Sequence, residues 1–182
     1  DTFNNIQYRM NTRPLDVLAT NAGCSFAYST FRNLGYRVNS WFSVEKDEKC
    51  RAVADQIIPA DTLVHVSTHD TTTAYAQLKH RRFDIQIDTS PCQPWSRLQN
   101  APKGFFDTRA RAFTAAVSLF NRLSMNNANM KFIVENVEPH DDLAEDKKRK
   151  AEMWMSPFVT INAMDWGSPS SRPRNIATNI CD

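Results

Sequence analysis

One thiol stands out by its setting. Cys92 lies in the run Pro91-Cys92-Gln93-Pro94-Trp95-Ser96, just after an apolar, strand-like segment from Phe83 to Asp88. A lone cysteine after a strand ordinarily packs as a small hydrophobe. Flanked by prolines at a strand end, it reads instead as a nucleophile, the role a thiolate fills in covalent catalysis. Further along, Phe132-Ile133-Val134-Glu135-Asn136-Val137 brings a second apolar strand to its end on a carboxylate. Taken alone, Glu135 would read as a salt-bridge or helix-dipole partner; at the end of a Phe-Ile-Val strand it reads as an acid held in a site. Open α/β sheets collect ligands in the crevice outside the carboxyl ends of their strands, so the thiol and the acid are expected to meet there.

The elements that must position them follow a regular alternation. Leu15 to Thr20 reads as a first strand, Gly23 as a turn, and Ser25 to Leu34 as an apolar-periodic helix closed by Gly35. Val38 to Glu45 is a second strand, and Asp47 caps a helix that runs through Ile57 and stops at Pro59. Thr62 to Val66, Phe83 to Asp88 and Lys131 to Glu135 continue as strands, with helices over Thr72 to Lys79 and Arg109 to Leu123. Such alternation without hairpin signals predicts an α/β fold, a doubly wound and mostly parallel sheet with helices on both faces. Phe158 to Ala163 and Asn175 to Ile180, joined by the turn-forming Gly167-Ser168-Pro169-Ser170, predict a C-terminal antiparallel hairpin at the sheet edge.

Three short signatures occur in order along these strands: Pro91-Cys92-Gln93, Glu135-Asn136-Val137 and Arg172-Pro173-Arg174. Their series resembles the motifs of the C5-cytosine DNA methyltransferases, over a span from Leu15 to Ile180. The resemblance implies a Rossmann-like catalytic domain over residues 1–182, with 1–14 as an N-terminal extension and no target-recognition region. It implies methyl transfer from S-adenosylmethionine to cytosine C5 of DNA, through a covalent bond between Cys92 and C6. In that scheme Glu135 neutralises charge at N3 and Arg174, with Arg172 beside it, holds the base O2; lysine lacks the required fork. The base must leave the duplex stack, and the segment from Arg97 to Asp107, with Gly104 as a hinge, would close behind it.

The same resemblance assigns the methyl donor to Asn21, Gly23, Glu45, Asp70 and Pro91, with Glu45 on the ribose hydroxyls and Asp70 near the adenine. One departure bears on this site. The family's first loop resembles Phe-x-Gly-x-Gly-Gly, whereas this chain reads Asn21-Ala22-Gly23-Cys24-Ser25-Phe26, keeping Gly23 alone. Glycines there admit positive φ and close approach, so Ser25 and above all Phe26 are expected to narrow the donor pocket. DNA and a second polypeptide that supplies target recognition are the expected partners. A catalytically silent scaffold or regulatory subunit, and an RNA cytosine methyltransferase, are the alternative functions.

Composition sets the remaining bounds. The 182 residues are 41% hydrophobic and 23% charged, ordinary for one globular domain. A net charge of +2 gives no bulk electrostatic vote for nucleic acid. The four cysteines, Cys24, Cys50, Cys92 and Cys181, form no Cys-x-x-Cys pair, which fits reduced thiols in an intracellular protein of the nucleus, the cytoplasm or a viral or bacterial cytosol. No apolar run long enough to span a membrane, and no signal-peptide core, is found. The chain opens on Asp1 rather than a methionine, which reads as a trimmed chain or a piece of a longer polypeptide. His65 and His69 have a helical metal spacing but straddle a strand end, where they would stand about 13 Å apart; no metal is expected. Lys147-Lys148-Arg149-Lys150, beside Asp141, Asp142, Glu145 and Asp146, reads as a solvated face.

Overall fold

The computed structural model describes residues 13–68 and 70–180. Strand β1 (Leu15–Thr20) is followed by helix α1 (Phe26–Asn33), β2 (Val38–Val44), α2 (Glu48–Ile57), β3 (Leu63–Val66), α3 (Thr71–Leu78) and β4 (Ile85–Asp88). Three short 3-10 turns, Gln93–Trp95, Gly104–Phe106 and Thr108–Ala110, lead into α4 (Arg111–Ser124). Then come β5 (Lys131–Val137), α5 (Ala144–Trp154), β6 (Val159–Asn162) and β7 (Pro173–Thr178). The strands form one seven-stranded sheet in the order β3-β2-β1-β4-β5-β7-β6. Strands β1 to β5 pair in parallel, while β7 runs antiparallel to both β5 and β6. The expected α/β sheet with a C-terminal hairpin is therefore present, with β7 inserted between β5 and the edge strand β6. Of the extension expected over 1–14, residues 1–12 lie outside the described residues, as do His69 and Cys181.

Strand β4 alternates apolar and polar residues, yet neither set reaches solvent. Covered on both faces, Ile85, Gln86, Ile87 and Asp88 are all buried. One face gathers Trp95, Phe113, Phe120, Phe132 and Trp154 beneath α4 and α5; the other packs Tyr28, Trp41, Ala54 and Ile58 beneath α1 and α2. Side chains alternate between these cores along β1, Leu18 joining the first and Val17 and Ala19 the second. Helix α4 is held by the stripe Phe113, Ala116, Val117, Phe120 and Leu123. Each large side chain in it contributes about 1.5–3 kcal/mol of burial.

Candidate active site

Strand order turns at β1, which has β2 on one side and β4 on the other. Such a reversal opens a crevice at the carboxyl ends of the two strands, and the loops after β1 and β4 enter it.

The loop after β1 holds left-handed backbone at three positions: Asn21 (φ 51°), Gly23 (φ 51°) and Ser25 (φ 57°). Two of these are not glycine, a strain of about 1–2 kcal/mol each, and each is tied down by its side chain. The Asn21 amide donates to Asp88 Oδ1 at 2.8 Å and to Ser90 Oγ at 3.0 Å. Ser25 Oγ lies 3.3 Å from Ser43 Oγ. The loop thus keeps its shape without the glycines the resemblance led us to expect. Phe26, expected to narrow the donor pocket, opens α1 at 65% exposure and is absent from the cleft lining.

Asp88 joins the two loops. It is fully buried and accepts from Thr20 Oγ1 at 2.9 Å, Asn21 Nδ2 at 2.8 Å and Ser90 Oγ at 2.6 Å. Burial pushes its carboxyl up to about 6, although the hydrogen bonds from Ser90, Asn21 and Thr20 pull the other way. Thr89 Oγ1 adds a bond to the Asn21 carbonyl at 2.9 Å. Beyond this knot the chain passes Pro91 to Cys92, whose residue caps the 3-10 turn Gln93–Trp95. Trp95 is fully buried and donates its Nε1 to Asp146 Oδ2 at 2.8 Å, so the thiol stands on a rigid anchor.

Glu135 and Arg174 meet by sheet geometry. Val137 is the register partner of Arg174, partners share a face, and Glu135 is two residues from Val137; Arg174 and Glu135 are therefore diagonal neighbours on one face. The Arg174 Nε donates to Glu135 Oε1 at 2.7 Å, with both side chains partly exposed. Cys92, Glu135, Arg172 and Arg174 line a single open cleft of about 590 Å³. Asn21, Gly23, Glu45 and Pro91 line the same cleft from the β1 and β2 side. Cys92, Arg172 and Arg174 also border an adjoining cleft of about 420 Å³, lined as well by Arg97 and Leu98.

Glu45 is 7% exposed and follows β2 directly. Its two carboxylate oxygens each accept a backbone N–H, from Gly23 and from Asp47, both at 2.9 Å. Asp70 stands apart: it caps α3 by accepting from Thr73 N at 2.6 Å, is exposed, and does not line the cleft. The hydrogen bonds from Thr73 hold its carboxyl below the usual range. Cys50, on the cleft wall, is pushed up to about 11 by burial and by the adjacent Cys24 thiol. Cys24, Cys50 and Cys92 are all free.

Sequence reasoning missed several participants. Arg109 lines the cleft, held by Asp107 at 2.6 Å. Gly104, read as a hinge, is packed: with φ at +53°, a Cβ there would collide with Asp146 Oδ2. Close approach of backbone to carboxylate, not mobility, explains that glycine. The basic run is only partly solvated, since Lys147 pairs with Glu138 at 3.3 Å while Lys150 is buried. Helical periodicity was the available signal: Asp146, Lys150 and Trp154 fall at i, i+4 and i+8 on one face. His65 bonds Asp55 at 2.8 Å, and no cluster of three or more metal-ligating side chains occurs among the described residues. No helix among them is long and apolar enough to cross a membrane.

Comparison with known proteins agrees with this architecture. A protein of Methanocaldococcus jannaschii named as a type II methyltransferase is 24% identical over 111 residues, covering 57% of this chain and 36% of its own length. The S. pombe Dnmt2 methyltransferase superposes with a TM-score of 0.60 at 15% identity, over 93% of this chain and 51% of that one. Aeropyrum pernix fibrillarin, solved with natively bound S-adenosyl-L-methionine, gives a TM-score of 0.60 at 8% identity, over 91% and 67% of the two chains. The 182 residues thus span about a third of the curated relative and half of the Dnmt2 structure. The family model for C-5 cytosine-specific DNA methylases matches residues 15–180, and the chain belongs to that family.

Proposed function

We propose that this chain transfers a methyl group from S-adenosylmethionine to C5 of cytosine in DNA, with Cys92 as the covalent nucleophile. The observation that carries the reading is the convergence of Cys92, Glu135 and Arg174 on one cleft that also holds the buried carboxylate of Glu45. The residues fit the donor: Glu45, fixed by two backbone N–H groups, brings a carboxylate of the kind that receives a pair of ribose hydroxyls to the cleft wall, and Gly23, Asn21 and Pro91 complete that wall. When bound, the donor supplies an electrophilic methyl group.

The chain's own residues then do the following. The Cys92 thiolate adds to C6, forming a carbon–sulfur bond and moving the C5–C6 electron pair onto C5. Glu135 answers the charge developing at N3 as an acid or hydrogen-bond donor, and Arg174 steadies both Glu135 and the base oxygen. C5 takes the methyl group, the C5 proton departs to base, and the sulfur leaves C6 to restore the ring. Base flipping, which this chemistry needs, is supported by the room beside Cys92 in the adjoining cleft. Target recognition by a second polypeptide is part of the same proposal. An intracellular setting accords with the free thiols.

Transfer of radiolabelled methyl groups to cytosine-containing duplex DNA tests the proposal, with candidate partner chains supplied. Wild type is expected to label DNA and Cys92→Ala to fall at least ~1,000-fold, as expected for loss of a covalent nucleophile. A Cys92→Ala variant with wild-type turnover would defeat the mechanism. Labelling of RNA in place of DNA would move the substrate, and no saturable calorimetric signal with S-adenosylmethionine would favour a silent scaffold.

A further inference from the structure

Lys150 is the side chain in the basic run that turns inward. It is 1% exposed, with its Nζ 2.9 Å from Asn136 Oδ1 and 3.6 Å from the centre of the Trp95 ring. Phe113 lies 5.4 Å from the same nitrogen. Asn136 passes the contact on, its Nδ2 donating to the Ser90 carbonyl at 3.1 Å. A buried ammonium is thus wired through one amide to the backbone two residues before Cys92, and rests on the ring of the turn that Cys92 caps.

We propose that Lys150 is a positioning residue for Cys92: through Asn136 and Ser90 it holds the cysteine loop, and its charge favours the thiolate. This rests on the reading of Cys92 as the nucleophile. The groups facing Lys150 are Asp146 on its own helix, Asp88 at the end of β4, Cys92 and Trp95 in the following loop, Asn136 with Glu135 on β5, and Phe113 on α4. Burial pulls the ammonium down to about 7, against the attraction of Asp146, Asp88, Cys92 and Glu135. A cation placed against the turn that a cysteine caps is the setting in which a thiolate is favoured over a thiol. That help is present at acidic to neutral pH and fades as the amine loses its proton.

The test needs neither methyl donor nor nucleic acid, so it stands or falls separately from the methyltransferase reading. Alkylation of Cys92 by iodoacetamide is followed from pH 5.5 to 9.5 on the intact chain, by mass spectrometry of the peptide that carries it. In wild type, the logarithm of the rate should rise with pH at a slope below one around pH 7. Lys150→Met and Lys150→Gln, the latter keeping a donor for Asn136, should each react about threefold or more slowly at pH 6.5 and converge on wild type by pH 9. A purely structural role would shift the rate alike at every pH, and that result overturns the proposal. Should neither variant fold, the wild-type profile decides alone, a single ionisation curve of unit slope refuting it.

Discussion

At the scale of single residues, the site separates groups that hold from groups that face the cleft. Asn21, assigned by resemblance to the donor, spends its amide on Asp88 and Ser90, and acts as a strut between two loops while its residue lines the cleft. Glu45 combines both roles, because its oxygens receive two backbone N–H groups while the residue lines the cleft. Glu45→Ala should therefore weaken S-adenosylmethionine binding about tenfold or more, the worth of a charge-assisted hydrogen bond. Calorimetric titration of both proteins checks this, and unchanged affinity would remove Glu45 from the donor site. Arg174→Lys should lower turnover with little change in donor affinity, since an ammonium cannot present the guanidinium's fork to Glu135 and a base together. Methyl-transfer kinetics read the split.

At the scale of elements, strand ends and loop anchors were legible to different degrees. The strands that deliver Cys92 and Glu135 announce themselves, β5 through Phe132-Ile133-Val134 and β4 through Phe83, Ile85 and Ile87 at alternate positions. The Arg174 pairing could not be read in the same way, for it depends on β7 entering beside β5 in one particular register. Lys150 was hidden for another reason. Neighbouring charges make Lys147-Lys148-Arg149-Lys150 look uniformly solvated, and only tertiary packing reveals that one of them lies over Trp95. Gly104 misled similarly: a glycine in a loop suggests a hinge, while here it admits Asp146, which in turn holds Trp95 and the Phe105 N–H at 2.9 Å. Gly104→Ala should destabilise the fold by about 3 kcal/mol, combining left-handed strain with displacement of a part-buried acceptor that holds Trp95 and Phe105. Denaturant unfolding measures it, and a neutral outcome would mean the segment is as free as a hinge.

At the scale of the whole molecule, two buried ionisable groups shape stability against pH. Asp88 titrates near 3.8 when unfolded and about 6 when folded, so between those values the folded state keeps a proton that the unfolded chain has lost, and stability falls as pH rises. Lys150 titrates near 10.5 unfolded and about 7 folded; between those values the unfolded chain holds the extra proton, and stability rises with pH. Both charges are costs the fold carries at neutral pH, and both back onto the Cys92 loop. From these two groups, thermal stability should pass through a minimum between about pH 6 and 7 and rise by about 5 °C or more toward pH 9, at the usual few degrees per kcal/mol. Lys150→Met should flatten the alkaline rise. Melting temperatures of both proteins across that range give the comparison, and parallel curves would show that Lys150 does not titrate inside the fold.

The most direct test of the central claim is a covalent trap on Cys92. A DNA duplex carrying 5-fluorocytosine cannot lose a C5 proton after methyl transfer, so the carbon–sulfur bond should persist. Incubated with S-adenosylmethionine and any required partner chain, the protein is expected to form a denaturation-resistant adduct that maps to the Cys92 peptide and carries the added methyl group. An adduct on another residue, or methylation of ordinary cytosine with no trapped species on the fluorinated duplex, would contradict the account.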